Sequence, residues 1–125
     1  MTDKELIQMA KQAYTHSYAP YSHYFVGAAL LTAEGKIYTG CNIENASYGA
    51  ANCAERTAIF KAVSEGERNL QKIAVAAKDG STAYPCGICL QVMSELMPDG
   101  EVILEENGKA VSYSVRELLP FAFTL

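Results

Sequence analysis

Apolar residues recur at helical spacing in three stretches of the chain. In the first, a Thr2-x-x-Glu5 capping pattern precedes apolar residues three and four positions apart, so we predict a helix that runs to about Tyr18. Residues 53–64 are apolar around most of the helical circumference, which indicates a buried helix. Residues 85–97 form the third stretch, with Pro85 near the first turn. We therefore expect three main helices.

Short apolar runs lie between these helices and predict five strands, at residues 26–32, 37–41, 73–77, 101–105 and 110–113. Glu34-Gly35 and Asn107-Gly108 are turn signals that would join the first two and the last two strands as hairpins. Residues 42–52 read as an irregular loop, and a short helix from Ser114 precedes Pro120. This order predicts a single α/β domain over residues 1–125, with a mixed sheet of about five strands flanked by helices.

Composition narrows the possible partners. The chain has 125 residues with a net charge of −4 and a pI of about 5.1, and its ten Lys and Arg residues are scattered. A nucleic-acid surface would need a basic stripe, so we expect a small-molecule substrate and no nucleic-acid partner. No apolar run reaches the length of a membrane span, and residues 1–5 do not resemble a signal peptide. We expect a cytoplasmic protein whose thiols stay reduced.

Two short runs carry the candidate chemistry: Cys53-Ala54-Glu55 and Pro85-Cys86-Gly87-Ile88-Cys89. Cys86 and Cys89 are three residues apart, so at a helix start they lie on one face and form the usual two-thiolate clip for tetrahedral zinc. Cys53 and Glu55 can both reach the same ion only if it lies beyond the N-terminal end of their helix, where the helix dipole stabilises thiolates. We predict a Zn²⁺ site with three thiolate ligands and one open position.

An open position on zinc has a specific chemical use. A water bound there has its pKa lowered toward neutrality, which provides hydroxide as a nucleophile. Glu55 would take the proton of this water and deliver it to a ring nitrogen and then to a leaving amine. Arg56 would offset the negative charge of the thiolates by a hydrogen bond to a ligand sulfur. Zinc deaminases of nucleobases use this combination of motifs, so a hydrolytic deaminase is the leading interpretation.

Each residue also has a simpler interpretation. The Cys-x-x-Cys pair alone fits a redox pair or a structural zinc clip, and a lone Cys53 would most often lie in the core. Glu55 fits a capping box with Asn52 as written. A structural zinc site would prefer a fourth cysteine or histidine, and we interpret the remaining cysteine, Cys41, as a core residue. The two runs together favour the catalytic site.

Three segments of the chain closely resemble the small bacterial-type cytidine deaminases: residues 40–48, 52–58 and 85–92. Residues 18–22, 26–30 and 117–120 extend the match to nearly the whole chain. The resemblance implies a three-layer cytidine-deaminase-like fold and a homotetramer with one zinc ion per subunit and active sites at subunit interfaces. It also implies conversion of cytidine and 2′-deoxycytidine to the uridines with release of ammonia, as in pyrimidine salvage.

The same resemblance assigns roles to individual residues. It gives Cys53, Cys86 and Cys89 to zinc and Glu55 to proton transfer. The remaining positions would bind substrate. Asn42 and Glu44 would hold the ribose 3′-hydroxyl, and Tyr24 would lie near the base and sugar. The backbone of Ala54 and Cys86 would read the base edge, and the pyrimidine would stack on Phe123 of a neighbouring subunit. The family usually has arginine after the second cysteine of the clip, where this chain has Leu90.

Four other functions remain open at this stage. A related deaminase of another aminopyrimidine nucleoside, such as an antibiotic, would share the whole site. A deaminase of bases within nucleic acid would share the zinc motif, against which the acidic charge argues. A non-catalytic zinc module would have no use for Glu55, and a thiol oxidoreductase would use Cys86 and Cys89 without tight zinc.

Overall fold

A five-stranded sheet, in the order β2-β1-β3-β4-β5, organises the computed structural model, which describes residues 1–125. Its strands are β1 Val26–Thr32, β2 Ile37–Cys41, β3 Leu70–Ala77, β4 Glu101–Glu106 and β5 Lys109–Ser114. β3 and β4 are parallel, whereas the other neighbours are antiparallel. The predicted mixed sheet of about five strands is confirmed. β3 begins three residues before the predicted position because Leu70 pairs with Thr32.

Four α-helices accompany the sheet: α1 Asp3–Ala13, α2 Ala54–Ser64, α3 Gly87–Leu96 and α4 Val115–Leu118. The predicted extension of the first helix to Tyr18 is wrong. α1 ends at Ala13 and continues only as the 3₁₀ turn Tyr14–His16, because the backbone N–H of Tyr18 donates to the carbonyl of Asn42 instead. None of the helices combines the length and the apolar character needed to cross a bilayer.

The helices lie on both faces of the sheet, which confirms the three-layer α/β arrangement. On one face, α1 packs against alternate residues of β1, β3 and β4. On the other face, α2 and α3 cover the larger core cluster, to which Leu30, Ile59, Ile73 and Met93 contribute fully buried side chains. This alternation of inward-facing residues between the two faces is the ordinary consequence of the two-residue period of a strand.

The strand ends explain why three loops meet at one edge of the sheet. Cys41, at the end of β2, pairs with Gly27 near the start of β1, and Val26 pairs with Ala77 at the end of β3. The loops that follow β2 and β3 and the loop that precedes β1 therefore converge. The first two of these loops lead into α2 and α3, so the N-termini of both helices lie at this edge.

Gly40 lets α2 approach β2 closely. A Cβ atom at this position would lie 2.5 Å from the Ala58 amide nitrogen and 2.6 Å from the Ala54 carbonyl oxygen, which are backbone atoms of α2. We expect Gly40→Ala to destabilise the protein by about 2–3 kcal/mol, within the usual cost of overpacking a core. Thermal denaturation would measure the effect. Gly49→Ala is the matched control, because no atom lies within 4 Å of its added Cβ. Equal melting temperatures for the two variants would contradict the prediction.

Candidate active site

Three thiols converge where the two helix N-termini meet. The sulfur atoms of Cys53, Cys86 and Cys89 lie within 4.8 Å of one another, and those of Cys53 and Cys86 are 3.8 Å apart. None of the three is in a disulfide. Cys89 is buried, Cys53 is half-buried and Cys86 is exposed. The cluster therefore spans the distance from the core to the surface.

The helix starts place these sulfurs. Cys53 is the N-cap of α2 with φ −75° and ψ 157°, and Cys86 is the N-cap of α3 with φ −73° and ψ 167°. Neither helix has a side-chain cap. The positive ends of both helix dipoles therefore face the thiol cluster, and a helix N-terminus stabilises negative charge. The capping-box interpretation of Glu55 is wrong because Asn52 lies outside the helix and its side chain donates to Thr57 instead.

Glu55 is a buried acid beside the cluster. Its side chain is only 5% exposed, and with Thr32 it is one of two polar residues in the buried core. Burial raises the pKa of the Glu55 carboxyl to about 7, because desolvation disfavours the charged form. A carboxyl group with this pKa can both accept and release a proton near neutral pH, which is the requirement for general acid–base catalysis.

Arg56 places a cation against the thiol cluster. Its Nη2 donates to the Cys53 sulfur at 3.3 Å, while its buried Nε has no partner. A thiol is a weak acceptor, whereas a thiolate partner compensates a half-buried guanidinium well. Cys53 also accepts a hydrogen bond from the Cys89 thiol, which lowers the pKa of Cys53 and raises that of Cys89. Three thiolate donors with a neighbouring cation fit zinc, which prefers sulfur ligands.

Two neighbouring cavities open beside the cluster, and both are lined by Asn42, Cys53 and Cys86. The first cavity, of about 200 Å³, is also lined by Tyr24, Val26, Ala54, Glu55, Val75, Ala83 and Tyr84. The second cavity, of about 400 Å³, is also lined by Glu44, Tyr48, Gly49, Ala51, Asn52, Arg56 and Ile88. The first cavity is lined mostly by apolar residues with an acid at one wall, whereas polar residues make up more of the lining of the second. Together they offer room for a flat base attached to a polar group.

A family model of the cytidine and deoxycytidylate deaminase zinc-binding region matches residues 1–106. The chain belongs to this deaminase family. The cytidine deaminase of Halalkalibacterium halodurans is 52% identical over 99% of this chain and 96% of its own length. The structure of cytidine deaminase from Burkholderia pseudomallei has 50% identity and a TM-score of 0.92, covering 98% of this chain and 100% of that one. The blasticidin-S deaminase of Bacillus cereus is 34% identical over 98% of this chain and 92% of its own length.

Membership of this family and the three-thiol cluster together confirm the predicted cofactor, one zinc ion per subunit. The cluster contains Cys53 in addition to the Cys-x-x-Cys pair, and it lies beside the buried Glu55. A redox pair would need only Cys86 and Cys89, and a structural zinc clip would have no need of a buried carboxyl. The deaminase interpretation is the one that uses all four residues.

Asn42 and Glu44 are held by hydrogen bonds to the segment that leads into β1. The Asn42 side chain donates to the Tyr24 carbonyl at 2.7 Å and accepts from the Val26 amide at 3.0 Å. The Glu44 carboxylate accepts hydrogen bonds from the backbone amides of Tyr21 and Ser22 and from the Ser22 hydroxyl. Asn42 still has one N–H and one lone pair free for a ligand, because an amide side chain offers two donors and two acceptor sites.

The structure separates Phe123 from the other predicted residues. Tyr24, Asn42 and Ala54 line the first cavity and Glu44 lines the second, whereas Phe123 lines neither and is 66% exposed. Its backbone carbonyl accepts from Gln91 on α3. Within one chain, the predicted stacking residue therefore lies outside the site.

Sequence analysis missed some residues at the site. Ser22 contacts Glu44, and Tyr84 lines the first cavity. Ser22 lies in the 18–22 segment that resembles the family, and this could have marked it as a site residue. Its role was not predictable, because its partner Glu44 is 22 residues away. The Leu90 side chain packs against the larger core cluster, so this position contributes packing.

We expect Arg56→Gln to weaken zinc binding by about 10–100-fold, the usual cost of removing an outer-shell partner of a metal ligand. The substitution removes the cation that donates to the Cys53 sulfur. Competition with a chromogenic chelator would measure the zinc affinity. Arg68→Gln is the matched control, because Arg68 is exposed and its guanidinium bonds to backbone carbonyls at the far end of α2. Equal zinc affinities for the two variants would contradict the prediction.

Proposed function

We propose that the protein hydrolytically deaminates cytidine and 2′-deoxycytidine to uridine and 2′-deoxyuridine, with release of ammonia. The observation that carries this proposal is a buried Glu55 beside three clustered thiols at the wall of a base-sized cavity. The relatives described above are consistent with the same reaction, since two of the three are named cytidine deaminases.

Cys53, Cys86 and Cys89 would hold the zinc ion. Bound there, zinc supplies Lewis-acid activation of the attacking water. The two helix N-termini and the Arg56 guanidinium stabilise the negative charge of the three thiolates. The negative charge of the thiolates is therefore balanced by groups of the protein as well as by the metal.

Glu55 moves the protons of the reaction. Its pKa of about 7 lets it accept a proton from the attacking water and then protonate the ring nitrogen. Glu55 then takes the second proton from the hydroxyl that has added to C4 and delivers it to the exocyclic amine, which leaves as ammonia. The buried position of the carboxyl excludes bulk water from these transfers.

The residues around the cavities favour a nucleoside over a nucleotide. Asn42 and Glu44 would bind the 3′-hydroxyl, a group that ribose and 2′-deoxyribose share, so both sugars are expected to be accepted. Arg56 is the one cation that lines either cavity, and its guanidinium is bound to a ligand sulfur. A 5′-phosphate in either cavity would therefore have no free cation to compensate its charge.

A homotetramer would complete the site, as the family resemblance implies. This part of the proposal is supported by large apolar side chains that one chain leaves exposed, including Tyr48 at 85%, Ile88 at 62% and Phe123 at 66%. Tyr48 and Ile88 line the second cavity, so a neighbouring subunit covering them would also close that cavity. Light scattering on a sizing column would measure the mass. A cytoplasmic location is also proposed, and it is supported by four free cysteines.

A spectrophotometric assay of zinc-loaded protein tests the reaction. Cytidine, 2′-deoxycytidine, cytidine 5′-monophosphate and blasticidin S should be compared at equal concentration. We expect turnover of the first two and little turnover of the nucleotide. Blasticidin S is included because of the relative named for it. If blasticidin S alone is turned over, it and not cytidine is the substrate. If zinc-loaded protein turns over none of the compounds, the proposed reaction is refuted.

A further inference from the structure

The Glu44 carboxylate is held almost entirely by two residues of the loop before β1. Its Oε1 accepts from the backbone amides of Tyr21 at 3.0 Å and Ser22 at 3.1 Å, and its Oε2 accepts from the Ser22 hydroxyl. A carboxylate offers about four acceptor sites. These bonds occupy three of them and leave one, on Oε2, for a ligand.

The Ser22 hydroxyl is itself held on its other side. It accepts from the Tyr24 amide at 3.0 Å while it donates to Glu44, so it joins a residue of the first cavity to a residue of the second. The next residue, His23, has φ 56° and its amide donates to the Ala19 carbonyl. This left-handed residue forms a turn that closes back on Ala19.

We propose that Ser22 is a positioning residue for substrate recognition: its hydroxyl and amide orient Glu44 so that the free Oε2 site accepts the 3′-hydroxyl of the sugar. The inference rests on the proposed function. Ser22 is the one residue that contacts both carboxylate oxygens, and it does so from the side chain and the backbone. Without its hydroxyl, Oε2 has no protein partner and the carboxylate can rotate about its Oε1 bonds.

The charge of Glu44 agrees with this role. Hydrogen bonds from the Ser22 hydroxyl and from the backbone amides of Ser22 and Tyr21 lower the pKa of the Glu44 carboxyl. Glu44 is therefore a charged acceptor at neutral pH, and a hydrogen bond from a sugar hydroxyl to a charged group is stronger than one to a neutral group. A fixed acceptor of this kind would place the sugar, and with it the base, relative to Glu55.

The test compares Ser22→Ala with Ser22→Thr, which keeps a hydroxyl, and with the control Ser64→Ala. Ser64 is exposed and its hydroxyl donates to the Lys61 carbonyl at the far end of α2. Each variant is assayed with cytidine and with 2′,3′-dideoxycytidine, which lacks the 3′-hydroxyl. We expect Ser22→Ala to raise KM for cytidine about tenfold with kcat changed less than about twofold, because uniform binding is lost. Turnover of the dideoxynucleoside should change less than about twofold, and Ser22→Thr should restore most of the cytidine KM.

Two results would overturn the inference in a parent protein that turns over cytidine. One is an equal loss for both nucleosides in Ser22→Ala, which would mean that the hydroxyl only maintains the loop. The other is a cytidine KM for Ser22→Ala that matches Ser64→Ala. A parent protein that does not turn over cytidine would instead refute the proposed function, so the two failures are distinguishable.

Discussion

Glu55→Gln is expected to lower kcat for cytidine by at least about 10²–10⁴-fold, the usual contribution of a positioned general acid–base group. The amide has nearly the same size as the carboxyl but cannot accept and release the protons of the reaction. The Glu55 carboxyl is buried and has a pKa raised to about 7, so a neutral amide suits the same environment. We therefore expect the variant to keep its fold and its zinc while losing turnover.

The control for this prediction is Glu65→Gln, because Glu65 is the exposed C-cap at the opposite end of α2. Turnover, zinc content by plasma mass spectrometry and melting temperature should be measured on the parent and both variants. Retained turnover in Glu55→Gln would remove Glu55 from the mechanism. Loss of zinc together with turnover would mean that Glu55 maintains the metal site instead of moving protons.

Cys86→Ser is expected to weaken zinc binding by more than the roughly 10–100-fold that loss of an outer-shell partner costs, and to abolish turnover. Cys86 supplies one of three clustered sulfurs, and a serine hydroxyl is a much poorer ligand for zinc. Cys86 is exposed, so its replacement leaves the packing of the core unchanged. The expected loss therefore reports on the ligand itself.

Cys41→Ser is the matched control, because Cys41 is the one free cysteine outside the cluster. Zinc per chain and the rate of cytidine turnover should be compared in both variants after identical zinc loading and desalting. We expect Cys41→Ser to retain about one zinc per chain. Stoichiometric zinc and normal turnover in Cys86→Ser would exclude the three-thiol site.

The elements that sequence analysis predicted correctly depend on neighbouring residues. Thr2 and Glu5 form the expected capping box, and Asn107 and Gly108 both adopt positive φ, as a two-residue hairpin turn requires. The five strands and the helix over residues 54–64 follow from periods of two and 3.6 residues. The cysteine spacing was equally informative, because Cys86 as the N-cap and Cys89 in the first turn both lie at the start of α3.

The errors arose where a distant partner decided the outcome. Pairing of Tyr18 with Asn42 and Ile43 ended the first helix early, and neither partner is close in sequence. Asn52 also fitted a capping box locally, but its backbone pairs with Ile43 and the helix begins one residue later. In both cases a local pattern was valid, and a tertiary hydrogen bond competed with it successfully.

The sequence by itself therefore determined the chemistry available: three thiols, a carboxyl group and a guanidinium at spacings that suit one zinc ion. Only the tertiary structure decided how these groups act. The strand order brings two helix N-termini to one edge, burial raises the pKa of Glu55, and Ser22 holds Glu44 across 22 residues of chain. The physical reason is range: caps, turns and periodicity are set by residues within about one helical turn, whereas desolvation and cross-loop hydrogen bonds require the folded core.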